Sequence, residues 1–317
     1  MVVRENLLAQ PLSRSCERIA SAEDYAHCRY IMQKASKNYS FATRFLPRDK
    51  RPHVEALYAL MRVGDDRVDV SHSGFSSPLA AIEDWERTYW HAFEVGDSPD
   101  PVMRAYLDTA RAFDIPSETM AAYFRAMKED LIIQRFPTFA DLWHYMEGSA
   151  IPVGRAMTYI LGTRRPYQVP DALPYADNLA VAMQLSNFWR DIWQDWDEMG
   201  RIYIPLEDME RFGYTPDDLA KKRINRAWRD LLEFEIERTE DYYQRARPGV
   251  AMLAGGRWGV MTGLEVYRAI LPAIRRNGYD VFRYRAGTSQ MHKMFLVIKA
   301  GWQVLTSAPP SLAQIPS

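Results

Sequence analysis

The stretch "NFWRDIWQDW" (residues 187–196) sets Asn187, Asp191 and Asp195 four residues apart, with Arg190 among them. A second stretch, "YALMRVGDDRVD" (58–69), sets Asp65 and Asp69 at the same spacing. A helix turns about 100° per residue, so residues four apart lie about 40° from each other on one face. On that geometry Tyr58, Arg62, Asp65 and Asp69 form one narrow stripe, with Asp66 on its flank. Gln184, Asn187, Asp191 and Asp195 form another within about 80°. Both acid ladders are flanked by apolar sequence, "EALYALM" (55–61) and "LAVAMQLSNFW" (179–189).

Carboxylates four apart on a helix repel by a few tenths of a kcal/mol when exposed, and by far more where water is scarce. A solvated acidic face is the plain alternative for either ladder alone. The apolar flanks turn both ladders inward, and buried acids then require a cation. Magnesium is commonly shared between one or two carboxylates and substrate phosphate. Two facing ladders would hold several magnesium ions around a diphosphate, with Arg190 reaching the phosphate oxygens left free.

Composition narrows the class. The chain has 317 residues, is 47% hydrophobic and 26% charged, and carries a net charge of −1. That suits a globular protein with a sizeable core and gives no reason to expect nucleic acid as a partner. Cys16 and Cys28 are its two cysteines, with no CxxC and no His cluster, so a reduced cytoplasmic chain without zinc is expected. The N-terminus lacks a signal-peptide core, and no apolar run of 18 residues would span a membrane. "MHKMFLVIKAGWQVL" (291–305) reads as a terminal packing helix, with contact at a membrane surface, on the inner face, as the alternative.

Helical periodicity dominates. Ser21 with Asp24 and Thr138 with Asp141 resemble capping boxes. Pro78, Pro101 and Pro216 each follow a capping residue at the first helical position. Segments 117–134 and 218–246 have helical length, and "TRRPYQVPDALP" (163–174) and "RPGVA" (247–251) read as breaks. No linker divides the chain, so one all-α domain is expected, with residues 1–20 and 307–317 as flexible ends.

"DDRVD" (65–69), "NFWRDIWQD" (187–195) and "GRIYIP" (200–205) together resemble the squalene and phytoene synthase family, the head-to-head prenyl synthases. The likeness extends to "ASKNYSFATRFLP" (35–47), "TFADLWHYMEGSAIPVG" (138–154) and "VYRAILPAIRRNGYDVF" (266–282). It implies an isoprenoid-synthase-type helical bundle, one domain over 1–317, with a central apolar cavity and its two aspartate-rich helices facing across the mouth. Carried over by position, Asp65, Asp66, Asp69, Asn187, Asp191 and Asp195 would bind Mg²⁺ (or Mn²⁺) and through it the diphosphates. Ser36, Lys37 and Tyr39 match a flap segment that meets substrate, and Arg62 and Arg190 match phosphate-facing arginines. Tyr58, Tyr145 and Tyr267 match aromatic positions near the reacting carbons, and Gln184 a polar one. Asp130 also matches a family acid, with a simple helix-to-loop hydrogen bond as the alternative. Trp193 and Gln194 depart from the Gly-Glu of many relatives, and either Arg283 or Arg285 would meet phosphate.

The resemblance implies condensation of two prenyl diphosphates to a cyclopropylcarbinyl diphosphate, which ionises again and rearranges. Arg190, where the hydroxysqualene-forming branch often has Gln, and the lack of a C-terminal anchor favour phytoene from two geranylgeranyl diphosphates, without NADPH. "GGRWG" (255–259) lacks dinucleotide-loop spacing. A farnesyl-using squalene, dehydrosqualene or hydroxysqualene synthase is the alternative. A non-catalytic helical assembly or lipid-binding relative is the alternative of another class, and the two intact ladders speak against it. A carotenoid desaturase is the expected downstream partner.

Overall fold

Start signals in the sequence become helix caps in the structure. In the computed structural model, which describes residues 18–69 and 74–315 (Asp69 by its backbone alone), Ser21 Oγ accepts from Asp24 N while Asp24 accepts from Ser21 N. Thr138 and Asp141 pair in the same reciprocal way. Pro78, Pro101 and Pro216 stand at helix starts behind Ser77, Asp100 and Thr215, whose side chains take up backbone N–H groups that the helix leaves without partners. The expectation of an all-α chain holds, and no strand forms among the described residues beyond two isolated bridges.

The helices run α1 (Ala22–Ala35), α2 (Lys37–Thr43), α3 (Arg51–Asp69), α4 (Pro78–Val95), α5 (Pro101–Ala112), α6 (Glu118–Glu129), α7 (Phe139–Ser149) and α8 (Ile151–Leu161). They continue as α9 (Val169–Met199), α10 (Leu206–Arg211), α11 (Pro216–Ala220), α12 (Arg226–Val250), α13 (Arg257–Arg268), α14 (Ile270–Arg276) and α15 (Gln290–Thr306), before a 3₁₀ turn at Leu312–Gln314. The 31-residue α9 carries the second acid ladder and packs on α8 and α12, while α3 carries the first and packs on α1, α4 and α5.

Two apolar clusters hold these helices together. One gathers Leu57, Trp85, Tyr89 and Phe124 from the first half of the chain. The other gathers Trp189, Trp228, Leu232 and Leu271 from the second. Each of these residues is almost wholly removed from water, and burial on this scale stabilises by roughly 1.5–3 kcal/mol for a large apolar side chain. Val260 packs against both clusters, and the central cavity opens where they meet.

Two expectations about breaks need correction. The segment 218–246 is not one helix: Lys222 adopts φ 52°, in the left-handed region, and Asn225 Oδ1 accepts from Trp228 N to start α12 afresh. "RPGVA" ends that helix later than its proline suggests, since the helix runs through Pro248 to Val250. Proline there removes only a hydrogen bond of the last turns, and Gly249 lets the backbone lie against Tyr175, where an added Cβ would stand 2.2 Å from the Tyr175 Cβ. In the tail, Tyr167 donates to Pro310 O at 2.6 Å and Tyr175 to Gln314 O at 3.4 Å. Residues 1–17 and 316–317 of the two expected flexible ends lie outside the described residues, as does the Asp69 side chain.

Candidate active site

A cavity of about 340 Å³ lies between α2, α3, α8, α9, α12 and α13, and its walls are mainly apolar. Asp65 of α3 and Gln184 and Asn187 of α9 line it together with Tyr39, Tyr58 and Tyr267. Residues from both ladders therefore meet at one chamber. On α9 the lining positions run from Ala172 to Asn187, fifteen residues or about 22 Å of helix.

The second ladder is strongly polarised. Asp191 is clamped by two guanidinium groups: Arg190 at 2.9 and 2.5 Å, and Arg285 at 2.8 and 3.1 Å. Burial pushes its carboxyl up, but hydrogen bonds from Arg190 and Arg285 outweigh that and hold it below the ordinary carboxylate range. Asp195, one turn further, is pushed up to about 7 by burial and by the Asp191 charge. Asn187 Oδ1 is buried without a hydrogen-bond partner. An orphaned amide oxygen, an ionised carboxylate and a carboxyl that resists ionisation, spaced one turn apart on one helix face, are oxygens that hard divalent cations accept. Among the described residues no three His, Cys, Asp or Glu side chains converge as ligands by themselves, and a substrate diphosphate is a usual further source of oxygens for Mg²⁺.

The first ladder is held from behind. Tyr123 donates to Met61 O at 2.7 Å and to Asp65 Oδ1 at 3.2 Å. Gly64 makes this approach feasible, since a Cβ there would stand 2.0 Å from the Tyr123 hydroxyl. Arg62 pairs with Asp66 at 2.5 Å in the partly exposed i, i+4 position. Ser36 is the N-cap of α2, its Oγ accepting from Tyr39 N at 3.2 Å, and Lys37 is exposed at the start of that helix.

Tyr39 packs between α3 and α13, its ring 5.2 Å from Tyr58 and 5.6 Å from Tyr267. Burial raises the pKa of all three, that of Tyr58 to about 12. The phenols accordingly stay neutral and present aromatic faces to the chamber. Tyr145 is placed differently: it is absent from the cavity lining, and its hydroxyl donates to Asp130 at 2.7 Å. Asp130 also holds Arg201 at 2.7 Å, and Arg201 donates to the Tyr203 hydroxyl. Phe188 stacks on Tyr203 at 3.8 Å, fixing this buried network behind α9. Asp130 is therefore more than a helix-to-loop bond.

Of the two arginines left open by sequence, Arg285 reaches the ladder and Arg283 turns back to Asp280. Gln194 is exposed and bonds Glu198, away from the ladder. Sequence reasoning missed Gly64, Tyr123, Arg201 and Ser149, the last a cavity-lining hydroxyl that is buried without a partner. The available signals were Gly64 beside Asp65, a small residue in a helix where glycine is disfavoured, and the place of Arg201 in "GRIYIP".

The sequence model described as squalene/phytoene synthase matches residues 32–292. The chain is 32% identical over 89% of its length to a 15-cis-phytoene synthase of Synechococcus elongatus, covering 94% of that protein. It is 33% identical over 92% of its length to one of Synechocystis sp., covering 88% of that protein. Among solved structures it is similar to a dehydrosqualene synthase, with TM-score 0.80 and 27% identity over 90% of this chain and 97% of that one. It is also similar to a squalene synthase from Alicyclobacillus acidocaldarius, with TM-score 0.71 and 30% identity over 81% of this chain and 95% of that one.

Proposed function

The chain belongs to the squalene/phytoene synthase family, and we propose that it condenses two geranylgeranyl diphosphates head to head into phytoene through a cyclopropylcarbinyl diphosphate. The observation that carries the reading is the single chamber that joins Asp65, Asn187 and three neutral tyrosines to a long apolar wall. It is a prenyltransferase, as are the phytoene synthases it resembles.

Ionising an allylic diphosphate places negative charge on the departing pyrophosphate and positive charge on the carbon chain. Arg190 and Arg285, already directed at one carboxylate, turn their guanidinium forks to the pyrophosphate oxygens. Arg62 adds its guanidinium from the α3 side and Lys37 its ammonium from the α2 side. Asp65, Asp66 and Asp69 on one side and Asn187, Asp191 and Asp195 on the other would hold magnesium, which would supply Lewis-acid stabilisation of the leaving group. The faces of Tyr39, Tyr58 and Tyr267 stabilise the carbocation, and the apolar walls keep out water that would quench it. Loss of a proton then completes phytoene without a redox cofactor. Tyr145 acts through Asp130 and Arg201, positioning α9 from behind.

The product is a hydrocarbon too apolar for water, so delivery at a membrane surface, to a desaturase that takes it from there, belongs to the same reading. Among the described residues no helix is long and apolar enough to cross a membrane. The test is incubation with geranylgeranyl or farnesyl diphosphate and Mg²⁺, with and without NADPH, followed by mass spectrometry of the hydrocarbon. Phytoene from the twenty-carbon donor, indifferent to NADPH, is expected. A thirty-carbon product alone, or no diphosphate turnover, defeats the proposal.

A further inference from the structure

Helix α15 is apolar on both sides. Its inner face buries Leu296, Val297 and Ala300 against the protein, with Lys293 at its start. Its outer face presents Met291, Met294, Phe295, Ile298, Trp302 and Leu305, and exposure reaches 70% at Trp302 and 83% at Leu305. These positions recur at three- and four-residue steps and so form one stripe. An exposed apolar run of this length on a globular surface marks a contact site.

Exposed basic charges stand on the α2 side of the stripe, Lys37, Arg44 and Arg48, whereas on α15 itself Lys299 is bound to the buried Glu265 at 2.8 Å and Lys293 is buried against Asn38. Lys37 lies close enough to Lys293 to depress its pKa, second to the effect of burial. Beside the stripe is a separate polar pocket of about 370 Å³ lined by Arg29, Arg44, Arg48, Arg51 and Glu55. Glu55 is taken by Arg29 at 3.0 Å, and Arg51 is turned to the carbonyls of Leu46 and Arg44. Arg44 and Arg48 are exposed. The pocket and the stripe meet at residues 44–45: the Phe45 ring lies 5.0 Å from Trp258, whose indole donates to Val297 O of α15 at 2.9 Å.

From this juxtaposition we propose that the α15 stripe with Trp258 is the face by which the protein docks on an anionic lipid bilayer, with a lipid phosphate seated in the Arg44–Arg48 pocket. Tryptophan, phenylalanine and aliphatic side chains enter the headgroup boundary while basic side chains meet anionic lipid. A second copy on this face brings the same basic margin and so does not complement it. The proposal deepens the reading above by naming the surface that delivers the product, and it stands on geometry independent of the chemistry. Helix α13, which α15 covers, supplies Gly259, Val260 and Gly263 to the cavity, and Thr43 lines both the cavity and the arginine pocket. Docking therefore brings the thin α2–α13 wall of the chamber towards the bilayer.

The full chain is sedimented with vesicles of phosphatidylcholine, alone or mixed with phosphatidylglycerol. Binding to the mixed vesicles is expected, weakening as salt rises. Ile298→Glu and Trp302→Glu each lower affinity by roughly tenfold. Arg44→Glu and Arg48→Glu each lower it about fivefold on the mixed vesicles and leave neutral vesicles unaffected. Thermal melts followed by circular dichroism verify folding, and Ile298→Ser with Trp302→Ser serves if the glutamates do not fold. Wild-type protein that stays in the supernatant overturns the proposal. So do stripe variants that bind like wild type, or a dimer that Trp302→Glu dissolves. Pyrophosphate release in detergent is read in parallel: its absence with vesicle binding intact sinks the catalytic reading and spares the docking face.

Discussion

Arg285 and Asp191, 94 residues apart in sequence, are joined fork to carboxylate at 2.8 and 3.1 Å. Arg285 is largely exposed while Asp191 is mostly enclosed, so the bond is a surface arm laid across the second ladder. When a diphosphate enters, the same fork can exchange the carboxylate for phosphate oxygens. Arg285→Ala is expected to raise KM for the diphosphate about tenfold to a hundredfold, the value of a charge-assisted hydrogen bond. The melting temperature falls little, because Arg190 still holds both oxygens of Asp191. Arg285→Lys restores little, since an ammonium lacks the bidentate fork. An unaltered KM in the alanine variant removes Arg285 from the site.

Asp195 gives the site a pH dependence. Its ordinary value is 3.8, and burial with the Asp191 charge lifts it to about 7. Between those values the folded chain keeps a proton that the unfolded chain has released, so this group lowers stability as pH rises through the window. Without metal, Asp195→Asn is expected to melt higher than wild type at pH 8 and nearly level with it at about pH 4, while losing turnover. Below pH 7 magnesium must displace the proton, and the concentration for half-maximal activity rises by about tenfold per pH unit. Titrations of activity against Mg²⁺ at several pH values check this, and a pH-independent midpoint rejects Asp195 as a ligand.

Gly64 and Tyr123 form a lock behind the first ladder. An added Cβ at position 64 would overlap the Tyr123 hydroxyl, and that hydroxyl has two partners to lose. Gly64→Ala is expected to destabilise by about 1–3 kcal/mol through overpacking and to cut turnover with it. Tyr123→Phe separates the two effects. It relieves no packing, removes the bond that Tyr123 gives Asp65, and raises the Mg²⁺ requirement more than it lowers the melting temperature. Equal Mg²⁺ titrations for Tyr123→Phe and wild type count against the lock.

The helices and both ladders were legible because short-range chemistry writes them. Caps such as Ser21–Asp24 act over three residues, and the ladders follow from helical pitch. What sequence did not convey depends on partners distant along the chain. Tyr145 was matched to the chamber by position, yet its hydroxyl is committed to Asp130 and Arg201, a network set by how α6, α7 and the 200–205 segment pack. The choice of Arg285 over Arg283 rests on the path of the 277–289 loop. Pro248 reads locally as a stop, but its missing N–H falls where the helix is about to end.

Tyr267 tests the chemistry apart from binding. It lines the chamber with its ring 5.6 Å from that of Tyr39. Tyr267→Ala is expected to keep diphosphate binding, read by isothermal titration with Mg²⁺, within about threefold of wild type. Losing an aromatic face worth about 0.5–2 kcal/mol to a nearby cation slows the rearrangement by up to about thirtyfold or diverts it to side products. The same product profile at the same rate would falsify its role.

Ala176 sets a limit on donor length. It lines the cavity on α9 eleven residues before Asn187, about 16 Å along the helix from the ladder. The lining continues past it to Ala172, so a long tail extends beyond Ala176 and a shorter one stops near it. Ala176→Phe fills that space with a ring. Turnover of the twenty-carbon donor is expected to fall more than about tenfold, because overfilling a packed wall costs about 1–3 kcal/mol. The fifteen-carbon donor, which ends short of the ring, is expected to change less than about threefold, so the ratio of the two kcat/KM values is the measurement. If both donors lose activity in proportion, the far end of α9 does not hold the tail.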